Sequence, residues 1–61
     1  MISSIYGVEY AIVYQQRVVC TWLDRQFFWS IEAAEKHAAV GRKTYSNDVE
    51  QTARVVPATV E

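Results

Sequence analysis

Residues 8–29 read VEYAIVYQQRVVCTWLDRQFFW, and the reading of this stretch decides the fold. Residues 8–14 and 17–23 are dense in Val, Ile, Tyr, Thr and Trp, which favour a half-buried pleated surface, so each predicts a strand. Gln15 and Gln16 form a polar break between them. Asp24 and Arg25 form a second break, after which residues 26–29 predict a short third strand. Neither break has the Asn-Gly or Asp-Gly chemistry that pins a two-residue hairpin. Register is therefore weakly specified, and a slip of one residue exchanges the two faces.

With two-residue turns at both breaks, the strand period of two sorts the side chains. One face collects Ala11, Val13, Val18, Cys20, Trp22, Phe27 and Trp29, with Glu9 as its only charge. The other collects Val8, Tyr10, Ile12, Tyr14, Arg17, Val19, Thr21, Leu23 and Phe28. The first is the drier and is assigned to the core. The second carries hydroxyls and an Arg, a mixture that suits a surface in contact with water.

Downstream, residues 31–40 predict a helix. Ser30 is placed to cap it by accepting from a free amide of the first turn, and Glu32 and Glu35 complement the positive end of the dipole. At 100° per residue, Glu32, Glu35, Lys36 and Ala39 share an outer stripe, while Ile31, Ala33, Ala34, His37, Ala38 and Val40 fill the opposite arc. That arc is mostly alanine, so the helix can lie close to a sheet, with Trp22 and Trp29 expected to supply bulk. Gly41 is expected just beyond the C-cap, followed by Arg42 and Lys43 at the negative end of the dipole.

Residues 44–48 predict a polar loop and residues 50–56 a last strand, with Ala53 and Val55 inward and Thr52 and Arg54 outward. Pro57 lacks an amide hydrogen, so it ends that strand or places it at an edge, and residues 58–61 are expected to fray. The expected fold class is α+β: a small, mostly antiparallel sheet in β-β-β-α-β order with one helix on one face. One short helix cannot cover two apolar faces.

The chain has 61 residues, enough for one domain spanning 1–61, and a core of that size is marginal. A single cysteine, Cys20, excludes a disulfide framework, and one Cys with one His falls short of a structural zinc set. With 51% hydrophobic residues, two Trp, four Tyr and two Phe, the composition is that of a folded domain. Six Lys/Arg against seven Asp/Glu give a net charge of −1, without the dense basic surface of a protein that neutralises many phosphates. Nucleic acid is not the expected partner on that ground. No apolar run approaches a membrane span, no export signal is evident, and a cytoplasmic address is expected.

Cys20 and His37 form a thiolate–imidazole pair only if the fold brings them together with a third, orienting group. The plainer expectation is a small buried thiol and a histidine bonded at a helix flank. Asp24 and Asp48 sit in predicted turns, where Asp serves turn geometry. No catalytic, metal or cofactor motif is present, so no cofactor and no enzymatic activity are expected. The candidate site is a protein-binding face made of Tyr10, Ile12, Tyr14, Arg17 and Phe28, with Arg54 at its rim. Tyr, Phe and Arg are the residue types on which interface hot spots are built. A homodimer through the open face or the last strand is the alternative, and stacking of single-stranded nucleic acid on the same aromatics is a third reading.

The layout resembles that of small phage-encoded proteins that bind host machinery, among them inhibitors of bacterial RNA polymerase and anti-CRISPR proteins. The residues that carry the resemblance are 29–34 (WSIEAA), a Ser-capped Ala/Glu helix start after a hairpin, and 52–57 (TARVVP), a last strand near the C-terminus. It implies a phage or mobile-element accessory protein, acting in the host cytoplasm by occupying a surface of a host complex. The acidic patches through which many such proteins mimic DNA are absent here.

Overall fold

The computed structural model describes residues 3–60. Strand β1 (Ser3–Tyr14) is followed by β2 (Arg17–Leu23), helix α1 (Ile31–Gly41), a two-residue β3 (Lys43–Thr44) and β4 (Val49–Val60). They form one antiparallel four-stranded sheet in the order β2-β1-β4-β3, with α1 packed on one face, so the architecture is α+β as the sequence predicts. The order of elements is β-β-α-β-β. Strands β2 and β4 flank β1 and run parallel to each other, and α1 makes the crossover between them.

The first hairpin closes at Gln15 and Gln16, with φ of 51° and 65°. Two successive left-handed residues are what a tight turn needs to match the strand twist, although glutamine is poorly suited to that conformation. The Gln15 amide donates to the Asp48 carbonyl at 2.9 Å, which ties this turn to the loop before β4.

The third strand predicted over 26–29 is not formed, and the break at Asp24 and Arg25 is a local turn that does not reverse the chain. The chain instead continues along the same edge of β1. The Asp24 amide donates to the Val8 carbonyl at 2.9 Å, and Phe28 and Tyr6 exchange two backbone hydrogen bonds of 2.8 Å. The last strand is longer than residues 50–56: it pairs with β1 from Tyr14↔Val49 to Ser3↔Val60. Ala58 and Thr59, expected to fray, lie within that ladder; Glu61 lies outside the described residues.

The sheet faces are the reverse of the sequence assignment. Register follows the predicted pairing at Tyr14↔Arg17 and Val13↔Val18, then shifts at a bulge, so that Ile12 faces Cys20 and Tyr10 faces Trp22. Val19 is the extra residue, and it sends every later β2 side chain to the opposite face. The helix packs on the even-numbered side of β1. Val8, Tyr10 and Ala53 are buried there against Ala34 and Ala38, with Tyr6, Phe28 and Val55 partly buried around them.

Tyr10 and Phe28, read as exposed, therefore supply the bulk over the alanine face. Trp29, read as core, is 74% exposed, and Trp22 lies at the margin, stacked on Tyr10 with ring centroids 5.5 Å apart.

The helix follows its sequence signals at the N-terminus, where Ser30 Oγ accepts from the Ala33 amide at 3.2 Å. Its buried stripe is narrower than predicted: Ile31 and Val40 are exposed. Gly41 is the last helical residue and lacks the left-handed conformation of a residue beyond the cap. Its role is close approach, since a Cβ there would collide with the Tyr10 ring at Cε1. Gln51 Nε2 donates to the Gly41 carbonyl at 2.7 Å, and Arg42 Nε to the Ala53 carbonyl at 3.2 Å, fastening the helix end to β4.

Candidate functional site

An 11-residue helix is about 16 Å long, whereas a 12-residue strand spans about 40 Å. The helix therefore shields less than half the length of β1. It packs on β1 and β4, and the helix side of β2 is left beside it as an open shelf. Pairing across β1 and β2 places Ile12, Tyr14, Arg17, Cys20 and Trp22 on this one side. Tyr14 and Trp22 are 47% and 42% exposed, Arg17 and Cys20 are exposed, and Ile12 is half-buried between them.

Three of the six predicted binding residues thus share a surface. Tyr14 and Arg17 face each other across the hairpin, beside the strained turn that joins them. Tyr10 and Phe28 do not join them, because both are packed beneath α1. Arg54 projects from the opposite face. Its Nε donates to Glu9 Oε1 at 2.8 Å, and its other contact to the same oxygen is 2.7 Å. Trp22 and Cys20 were missed because the bulge at Val19 carries no sequence signal that would have moved them to this side.

At the inner end of the shelf, Asp24 gathers three partners. Tyr10 Oη donates to Asp24 Oδ2 at 2.9 Å, His37 Nε2 lies 2.8 Å from the same oxygen, and the Gln26 amide donates to Oδ1 at 3.0 Å. The Gln26 amide, then His37, then Tyr10, hold the Asp24 carboxyl down at about 2. Burial, reinforced by the bond to Asp24, pushes the Tyr10 hydroxyl up. An ionised carboxylate only accepts, so His37 presents Nε2–H to it.

Asp24 thus serves its turn and also ties the sheet to the helix through one carboxylate. The imidazole is engaged by Asp24, with the Phe28 ring 5.1 Å away, and no bond joins it to Cys20. Among the described residues, no three His, Cys, Asp or Glu side chains converge on a point that would hold a metal, and no helix is long and apolar enough to cross a membrane.

Among the described residues, no element covers the reverse side of the sheet. It presents Ile5, Ala11, Val13 and Val56, all partly buried, with the exposed Val18 and Leu23 and the exposed polar residues Thr21, Thr52 and Glu50. Phe27 folds over Gly7 at its far end; a Cβ on Gly7 would lie 3.3 Å from the Phe27 ring and 3.4 Å from Leu23. The Glu9–Arg54 ion pair stands in the middle of this face.

Compared with known proteins, the chain matches no family model, no curated protein and no solved structure.

Proposed function

We propose that this protein is a non-enzymatic protein-binding module whose docking site is the shelf of Ile12, Tyr14, Arg17 and Trp22 beside the helix. The observation that carries the reading is the grouping of two large aromatics and an arginine, all accessible, on one hairpin. Trp, Tyr and Arg dominate hot spots because they combine large apolar area with hydrogen-bonding ends. Strands hold such groups with little ordering cost on binding.

The resemblance of layout to phage-encoded inhibitors points to the class of target: a host complex of the nucleic-acid or defence machinery, met in the host cytoplasm. The mechanism would be occupation of a surface, with no bond made or broken. His37 is consistent with a non-catalytic role, since Asp24 and Phe28 hold its ring as part of the helix–sheet seam.

The test is capture of proteins from a bacterial lysate on the immobilised chain, compared with Tyr14→Ala and Arg17→Glu variants. Both side chains are accessible, so circular dichroism should be unchanged. The reading expects selective retention by the parent chain and a loss of binding worth more than about 1 kcal/mol in each variant. Equal retention by parent and variants would contradict it.

A further inference from the structure

The geometry points to a second copy of this chain as the occupant of the uncovered sheet face, giving a two-fold dimer in which two sheets stack with both helices outside. This surface is the reverse of the shelf, so the inference stands independently of the function proposed above.

The first argument is area. The chain exposes 4787 Å² at a mass of 7.0 kDa. A folded monomer of that mass is expected to expose about 4,000 Å², roughly 750 Å² less. A standard protein–protein interface takes about 800 Å² from each partner. The surplus of one subunit is thus the size of one interface.

The shortage is also intrinsic to the chain. Among the described residues the buried core is Val8, Tyr10, Ala34, Ala38 and Ala53, and Val8 is the largest side chain fully withdrawn from water. A core this small leaves a marginal stability, and burying a further apolar face in an oligomer is one way to raise it. A partner needed for stability must always be at hand, and a second copy always is. Stacked sheets about 10 Å apart would interleave Val13, Val18, Leu23, Phe27 and Val56 with their symmetry mates.

Charge agrees with a two-fold. The charges at the centre of the face are one acid and one base, Glu9 and Arg54, and a further acid, Glu50, lies beside Val13 at its hairpin end. A surface that meets itself must be self-complementary, and such a pair can exchange partners across the axis, Arg54 of each copy reaching Glu9 of the other.

Pairing by strand edges is disfavoured. Tyr6 and Val8 turn backbone groups toward Phe28 and Asp24. The residues opposite them, Pro57 and Val55, therefore turn theirs to the outer edge of β4. An added strand would find no amide hydrogen at Pro57, and the Ala53 carbonyl is already taken by Arg42. The outer edge of β2 is bent by the bulge at Val19.

The experiment is sedimentation equilibrium of the full chain and of Arg54→Glu and Glu9→Arg variants, each alone and mixed in equal amounts, with circular dichroism to confirm folding. The inference expects twice the 7.0 kDa chain mass for the parent at micromolar concentration. Each variant alone doubles one sign of charge on the face and should weaken association at least tenfold, while the mixture, which sets acid against base, should recover the dimer. A Leu23→Glu variant should also be monomeric, and it carries the test if a charge variant fails to fold. A parent chain of single mass throughout would overturn the inference, as would variants that dimerise as well as the parent.

Discussion

Asp24 shows how one carboxylate links turn, sheet and helix. It accepts from the Gln26 amide within its own turn, from Tyr10 in the core and from His37 on α1. The sequence identifies Asp24 as a turn residue, and the Gln26 contact agrees. The two longer-range bonds, 14 and 13 residues apart in sequence, are not legible without the fold. This carboxylate also explains how a tyrosine hydroxyl, which marks a wet face in the sequence reading, can belong to a core. In the folded chain Asp24 titrates at about 2, whereas an unstructured Asp titrates near 4. A depressed carboxyl stabilises the fold above the unfolded value and ceases to do so as pH falls through the folded one. Urea unfolding should therefore show a loss of stability between about pH 4 and pH 2, of the order of 1–2 kcal/mol from this group. Asp24→Asn should be less stable at neutral pH and should lack that part of the acid slope. Parallel pH profiles for the two proteins would refute the assignment.

Among the elements, the helix was the most legible, because Ser30, the acidic first turn and the alanine spacing each act within a few residues. The first hairpin was legible as two strands and a break, but the bulge at Val19 was not. Val18 and Val19 are alike in sequence, so nothing local marks Val19 as the residue left out of the ladder. That one residue moved Cys20 and Trp22 across the sheet and inverted the expected core. The third predicted strand failed for a related reason: residues 26–29 carry the right composition, yet β1 extends back to Ser3 and offers Phe28 an edge at Tyr6. Gly7 lies within β1 beneath Phe27. The turn of β1 into β2 is the element with local strain, since Gln15 and Gln16 both adopt positive φ. Replacing Gln16 by Gly removes the steric penalty of its left-handed conformation. Gln16→Gly should raise the unfolding free energy by about 1 kcal/mol in denaturant titration, with the hairpin pairing unchanged. A loss of stability would show that the Gln16 side chain makes a compensating contact.

At the scale of the whole molecule, 45 Å in its longest dimension, the described residues form one sheet that bears one short helix, and the uncovered area is its defining property. The shortage of cover was legible from counting apolar residues against elements; the identity of the open face was not, because it depended on a register that no turn residue fixed. Of the predicted site, Ile12, Tyr14 and Arg17 share the shelf, Tyr10 and Phe28 are packed under α1, and Arg54 stands on the reverse face. The measurement that bears most directly on this arrangement is an isotope-filtered NOE experiment on an equal mixture of labelled and unlabelled chains. Intermolecular contacts are predicted among the methyl groups of Val13, Val18, Leu23 and Val56, and none from Val8, Ala34 or Ala38. Intermolecular contacts from those three residues, or none from the first four, would contradict the account.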